Sequence, residues 1–237
     1  MEYSFNIYVP SYNRFDKILT KDLLEFCTYV VRKSQEEDYR KAGIEDLIAV
    51  EDNLIDSGMK AYDWIINNAE EDIFAIIDDD LDDFVYRLDE NTPLKKDKER
   101  ITSELMRFAQ MMIDLDIGFM CSAGSSTPLG YNQEITFKGS SGGVKIFNKS
   151  KFKAKMDYNI AYNWDIDLQL QELLVNRIIF RPNYFVEIGG TDTNKGGDAT
   201  NKTRQMQFDS LANMKLKLGK HFDLNIKTNK PNVRVKR

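Results

Sequence analysis

Between Ile77 and Phe84 the sequence reads Asp78-Asp79-Asp80-Leu81-Asp82-Asp83, five carboxylates in six residues. Crowding that much negative charge is costly unless something positive sits within it. The acids follow Ile73-Phe74-Ala75-Ile76-Ile77, a wholly apolar run of strand length. A strand without a polar face is covered on both sides, so the acids emerge abruptly from a buried sheet. Counted from Asp78 as a calcium-binding loop, the sixth and twelfth positions would have to be Gly and Glu. They are Asp83 and Asp89, which excludes that loop. A magnesium or manganese ion held by one or two carboxylates plus substrate phosphates is the better match. The alternative is a solvated, acid-rich helix start favoured by the helix dipole. A second pair, Asp165 and Asp167, opens an apolar helical pattern over residues 165–175. An Asp in that place either takes a proton from a hydroxyl nucleophile or simply caps the helix.

The elements that must position these acids are legible in outline. Residues 5–9 form a strand that ends in Pro10-Ser11-Tyr12-Asn13, and 47–50 a second ending in Glu51-Asp52. Residues 73–77, 118–121 and 144–147 read as further strands, and 178–180 and 184–188 as later ones. Helices are expected over 20–33, with Thr20 as N-cap, over 57–68, over 98–114 and over 165–175. The first half thus alternates strand and helix. That order predicts an α/β fold with a mostly parallel sheet, whose ligands bind at the carboxyl ends of the strands.

Composition narrows the chemistry. With 237 residues, 42% hydrophobic and 30% charged, and a mean hydropathy of -0.49, the chain has material for a sizeable core. No run approaches the roughly 18–20 apolar residues of a membrane span, and the opening MEYSFNIYVPSYNR has no secretory h-region. The expected setting is the cytoplasm, with no membrane partner. Two cysteines far apart, Cys27 and Cys121, and one histidine, His221, rule out a disulfide framework and multi-histidine metal sites. Any metal is held mainly by oxygen. Charge is divided unevenly: residues 1–136 carry 29 acids and 14 bases, a balance of -15. Residues 137–237 carry 9 acids and 19 bases, a balance of +10, concentrated at 138–155 and 215–237. A basic surface beside an acidic site suits a polyanionic partner, although a solvated face with a basic tail reads the same way.

Taken in order, the motifs resemble those of glycosyltransferases of the GT-A fold. Ile7-Tyr8-Val9-Pro10-Ser11-Tyr12-Asn13-Arg14 is similar to their opening strand and loop, and Val50-Glu51-Asp52 to the strand whose terminal acid contacts the donor nucleoside. Ile77-Asp78-Asp79-Asp80 resembles the metal-binding strand end, and Gly142-Gly143-Val144-Lys145-Ile146-Phe147 the segment before the acceptor site. Trp164-Asp165-Ile166-Asp167-Leu168 is similar to the Glu-Asp-x-Asp-Leu helix start, and Asn176-Arg177 to Pro182 continues it. The likeness covers about residues 5–188. Within that fold the chain most resembles the phage TET/JBP-associated glycosyltransferases, which implies transfer of a sugar to hydroxymethylated pyrimidines in DNA.

The resemblance implies a nucleotide-sugar donor, UDP-linked, with Mn2+ or Mg2+ as cofactor. Asp78 and Asp80 would hold the metal, and Pro10, Ser11, Tyr12, Arg14, Asp52, Asp79, Gly142 and Gly143 the donor. Asp165 would be the base, with Asp167 next in line, and the reaction would invert the anomeric centre. Residues 1–210 would form the GT-A domain, divided into a nucleotide-sugar and metal half (1–136) and an acceptor half (137–210). A basic extension, 211–237, would follow. The glycines at 189, 190, 196 and 197 would admit a diphosphate, with Lys195, Lys202 and Arg204 closing over it. One departure stands out: no His follows the last core strand, so Glu187 or Asp192 would assist the metal. Two other readings compete: the same donor with a glycan, lipid or protein acceptor, and a nucleic-acid-binding module with an inactive core.

Overall fold

The computed structural model describes residues 3–87, 91–123, 133–139, 142–189, 203–225, 230–233 and 235. In chain order its first strands are β1 (Phe5–Pro10), β2 (Thr28–Arg32), β3 (Leu47–Val50), β4 (Ile73–Ile77), β5 (Leu81–Arg87) and β6 (Asn91–Pro93). Then come β7 (Phe119–Cys121), β8 (Ile135–Thr136), β9 (Val144–Asn148), β10 (Arg181–Pro182), β11 (Phe185–Gly189), β12 (Phe222–Asn225) and β13 (Lys230–Val233). The helices are α1 (Glu36–Lys41), α2 (Gly58–Asn68), α3 (Lys98–Asp114), α4 (Trp164–Val175) and α5 (Arg204–Leu218).

A six-stranded sheet in the order β3-β2-β1-β4-β9-β7 forms the centre. Strands β1 to β4 run parallel, as the alternation of strands and helices predicts. β9 runs against both β4 and β7, with Ile77 opposite Val144. This reversal matters for the site, because β9 begins where β4 ends and so brings Gly143 beside the acid triplet. A smaller antiparallel sheet, β11-β5-β6, leaves directly from the triplet.

The apolar patterning is explained by two-sided burial. Ile7, Val9, Ala75 and Ile77 pack toward Ile101, Leu105, Phe108 and Met112 of α3. Tyr8, Phe74 and Ile76 face the other way, toward Tyr62 and Ile65 of α2 and Leu173 of α4. All five residues of β4 are therefore buried. Helix α2 starts where expected, with the Ser57 side chain accepting from Lys60 N at 3.3 Å. Asp97 caps α3 in the same way, through Arg100 N at 3.1 Å. Among the described residues no helix is long and apolar enough to cross a membrane.

The helix expected over 20–33 does not form. A short 3-10 turn, Thr20–Asp22, gives way to strand β2. Leu23, Leu24, Val30 and Val31 happen to fall at helical spacing, but Thr28-Tyr29-Val30-Val31 is β-branched and aromatic and all four are buried between two layers. Thr20 is no N-cap. Its hydroxyl, wholly buried, donates to the Asp78 carbonyl at 2.7 Å and accepts from Leu81 N at 3.2 Å, clasping the acid turn. The strand expected at 178–180 is reduced to a bridge between Met120 and Phe180, with β10 just after it. Replacing Thr20 by Val is expected to destabilise the protein by about 1–3 kcal/mol, since buried polar backbone groups lose their partner. Urea unfolding would measure it; an unchanged midpoint would mean the turn holds without the clasp.

Candidate active site

At the end of β4 the triplet sends its side chains in different directions. The Asp79 carboxylate is buried, accepting from the Ser11 hydroxyl and from Arg14 Nη1. Arg14 also reaches Asp80 Oδ2 at 3.1 Å, so one guanidinium offsets two of the three charges. The Ser11 hydroxyl in turn meets Tyr39 OH at 2.7 Å. Burial pushes the Asp79 carboxyl up to about 6, against the pull of Ser11 and Arg14. Asp78 turns away from this cluster: its Oδ1 accepts from Tyr62 OH at 2.9 Å. Burial raises the Asp78 carboxyl as well, with Lys145 opposing and Asp80 reinforcing the shift.

The loop after β1 forms one wall. Pro10 ends the strand, Ser11 N donates to Val30 O at 3.1 Å, and Asn13 takes a positive φ of 54°. The Arg32 guanidinium lies 3.8 Å over the Tyr12 ring, fixed by the carbonyls of Ile55 and Asp56. Asp52 is held by Ser34, through its N–H at 3.0 Å and its hydroxyl at 2.5 Å, and these bonds lower its pKa. Tyr12 and Asp52 follow the carboxyl ends of the parallel strands β1 and β3, on either side of β2, where the fold predicts a ligand.

The opposite wall is built from β9, β11 and the two helices on that face. A Cβ on Gly143 would lie 3.1 Å from Asp78 Oδ2 and 3.4 Å from Glu187 Oε1, so any larger residue would press on both acids. Gly143 N donates to Glu187 Oε1 at 2.6 Å and Ser122 Oγ donates to it at 2.8 Å. Burial raises the Glu187 carboxyl, these bonds opposing. Lys145 Nζ donates to the Gly142 carbonyl at 2.9 Å and lies 5.2 and 5.5 Å from the Tyr62 and Trp164 rings. Those two rings pack at 4.6 Å. Sequence reasoning passed over Tyr62 and Lys145. The available signal was a lysine inside an otherwise apolar, fully buried strand, and a tyrosine on a helix stripe.

Helix α4 presents the second acidic pair, capped at Asn163 with no side-chain cap bond. Asp165 is thus not the N-cap. It is half-buried in the first turn, forms no hydrogen bond or ion pair with a described residue, and its charge reaches both Tyr62 and Asp78. Asp167 is differently placed. It is 1% exposed and accepts from Lys217 Nζ of α5 and from Gln171 Nε2, each at 2.8 Å. Lys217 also binds Asp157 at 3.0 Å. Ser210 Oγ accepts from Asn163 N at 3.2 Å, and Met214 and Leu218 pack on Ile160 and Leu170. Helix α5 runs unbroken across residue 210 and braces the start of α4.

Residues 5–197 match the family of TET-associated glycosyltransferases. The chain belongs to this family. It is accordingly a glycosyltransferase, and the match covers both walls of the site. No curated protein matches it. Its fold is that of GT-A enzymes. A TM-score of 0.54 relates it to glucosyl-3-phosphoglycerate synthase from Mycobacterium tuberculosis in complex with Mn2+, UDP-glucose and phosphoglyceric acid, at 12% identity over 98% of this chain and 86% of that one. The same enzyme with phosphoglyceric acid gives 0.55, at 11% identity over 98% and 87%. At that identity the likeness is one of fold.

Of the residues singled out in the sequence, Ser11, Arg14, Asp79 and Asp80 form one connected cluster, while Asp78 beside them is held by Tyr62. Gly143 adjoins it through Asp78, and Gly142 through Lys145. Arg204 opens α5 on an exposed turn, its guanidinium 5.5 Å from the Phe208 ring. Lys195, Lys202 and Asp192 lie outside the described residues. Among those described, no three His, Cys, Asp or Glu side chains are arranged to hold a metal. Replacing Lys217 by Met is expected to cost about 3 kcal/mol, because Asp167 is left buried and unpaired. Adding Asp167→Asn should recover part of the loss. A double variant as unstable as Lys217→Met in urea unfolding would show that the pair is not what matters.

Proposed function

We propose that this glycosyltransferase moves a sugar from a UDP-sugar to the hydroxymethyl group of a modified pyrimidine in DNA, with inversion and with Asp165 as base. The observation that carries this reading is a half-buried Asp165 that forms no hydrogen bond or ion pair with a described residue, next to the Trp164 that packs on the Tyr62 bound to Asp78, within a chain of this family. An alcohol is a weak nucleophile at neutral pH, so a carboxylate that takes its proton as it attacks lowers the barrier. Asp167, engaged by Lys217, serves better as an anchor than as a base.

Asp78 and Asp80 suit a hard divalent cation, Mn2+ or Mg2+. They offer carboxylate oxygens at one turn, the crowding of their charges calls for a cation, and two such ligands are what an ion shared with phosphates requires. When bound, the ion would offset the charge that develops on the departing diphosphate. Around it, Tyr62 orients Asp78, while Ser11 and Arg14 hold Asp79 and so fix the turn. Tyr12 and Asp52 would meet the uracil and ribose. The enzyme's structural relatives in complex with UDP-glucose and Mn2+ support the donor and metal by likeness of fold.

The acceptor rests on the family's name and on charge. Lys153 and Lys155 are exposed, as the phosphates of a duplex would require, and the second half of the chain is basic overall. A base within a duplex must leave the stack to reach Asp165, and Trp164 beside it offers an aromatic face.

The test is nucleotide release from a panel of UDP-sugars with Mn2+, with and without duplex DNA containing hydroxymethylpyrimidines. Release stimulated only by the modified DNA is the expected outcome. Slow release indifferent to DNA would point to a glycan, lipid or protein acceptor. Asp165→Asn should lower turnover by about a hundredfold to ten-thousandfold with donor affinity little changed; near-normal turnover removes it as base. Asp80→Asn should abolish the dependence of donor binding on Mn2+, and unaltered metal-dependent affinity would exclude Asp80 from the site.

A further inference from the structure

The peptide between Gly142 and Gly143 is gripped at both ends by ionisable side chains. Its carbonyl accepts from Lys145 Nζ at 2.9 Å and its N–H donates to Glu187 Oε1 at 2.6 Å. Ammonium and carboxylate therefore stand no more than about 8 Å apart across that one peptide unit. No ion pair joins them.

Each is left partly satisfied. Lys145 is 4% exposed, and lysine is almost never so buried unless paired. Its ammonium carries three donors, yet the partner it has among the described residues is a neutral carbonyl, with the Tyr62 and Trp164 ring faces beside it. Glu187 Oε1 is held by two donors, whereas Oε2 is buried with no hydrogen-bond partner among the described residues. Burying such groups is costly unless a ligand completes them. A single water or ion would reach only one of the two groups. A ring bearing neighbouring hydroxyls satisfies both, because each hydroxyl can accept from the ammonium and donate to the carboxylate.

We propose that Lys145 and Glu187 form the subsite for the transferred sugar, Glu187 Oε2 accepting from a ring hydroxyl and Lys145 Nζ donating to a hydroxyl oxygen. This rests on the nucleotide-sugar reading above. The location follows from connectivity: the sugar is bonded to the diphosphate, and Glu187 borders the acid turn, since a Cβ on Gly143 would lie 3.1 Å from Asp78 Oδ2 and 3.4 Å from Glu187 Oε1. The sugar ring then lies between the turn that holds the diphosphate and the helix that carries Asp165.

Calorimetric titration of the full chain with UDP and with UDP-glucose, UDP-galactose and UDP-N-acetylglucosamine, all with Mn2+, tests this. Glu187→Gln keeps an oxygen for Gly143 and Ser122 but turns the other position into a donor. Lys145→Gln keeps a donor for Gly142 and removes the charge. Each variant is expected to lose about tenfold to a hundredfold in affinity for the UDP-sugar that the wild type binds. The loss in affinity for UDP itself should be clearly smaller, since UDP lacks the ring. Equal losses for UDP and UDP-sugar would overturn the proposal and assign both residues to the turn. Unchanged affinities, or a wild type that binds UDP but none of the three conjugates, would overturn it too. A wild type that binds no UDP would instead refute the donor reading itself, and the subsite with it.

Discussion

Three consecutive carboxylates at the end of a strand buried on both faces create a problem of charge, and much of the surrounding structure consists of answers to it. Arg14 spans Asp79 and Asp80, Tyr62 donates to Asp78, and Lys145 lies close enough to stabilise the charge on Asp78. Thr20 holds the backbone of the turn from the other side. Each partner comes from a different segment. The triplet thereby ties the loop after β1, the 3-10 turn before β2, helix α2 and strand β9 to one point. A compensated but crowded set of acids is also a natural place for a divalent cation and its phosphates, so what stabilises the turn prepares the site.

The antiparallel course of β9 does the second part of the work. A parallel strand at that place would set its Gly-Gly start at the far end of the sheet. Running backwards, it brings Gly143 against Asp78 and Glu187 and points Lys145 into the wall formed by Tyr62 and Trp164. Helix α4 closes the site from the same side, and its own start is steadied by α5, which lies beyond the residues matched to the family. Ser210, Met214, Lys217 and Leu218 are part of how the first turn of α4 is held.

Much of the scaffold was readable because its signals are local. Ser57 and Asp97 announce helix starts, the stripe Ile101, Leu105, Phe108 and Met112 has helical period, and Ile73–Ile77 cannot be anything but buried. Residues 20–33 misled because a strand covered on both faces and a helix stripe place apolar residues alike over a short window. β5 went unseen because its first residues are acids that the sequence ties to a metal rather than to a ladder. Lys145 and Tyr62 were unremarkable in sequence for a related reason: each sits in a pattern that explains it as packing, and only the neighbours across the sheet reveal the polar role.

The sequence by itself determined the kinds of chemistry available: oxygen ligands in place of soft or imidazole ones, an acid triplet at a strand end, a second acidic pair at a helix start, and an α/β order that collects strand ends into a site. Tertiary structure decided which member of each set faces which partner. Asp165 and Asp167 are two residues apart and chemically identical, yet one has no hydrogen bond or ion pair among the described residues and the other is drawn into a buried pair with Lys217. Asp79 is likewise withdrawn to Ser11 and Arg14, whereas Asp78 beside it is taken by Tyr62. The physical reason is that a carboxylate's role depends on burial and on the charges within a few ångströms, and those charges come from residues dozens of positions away along the chain.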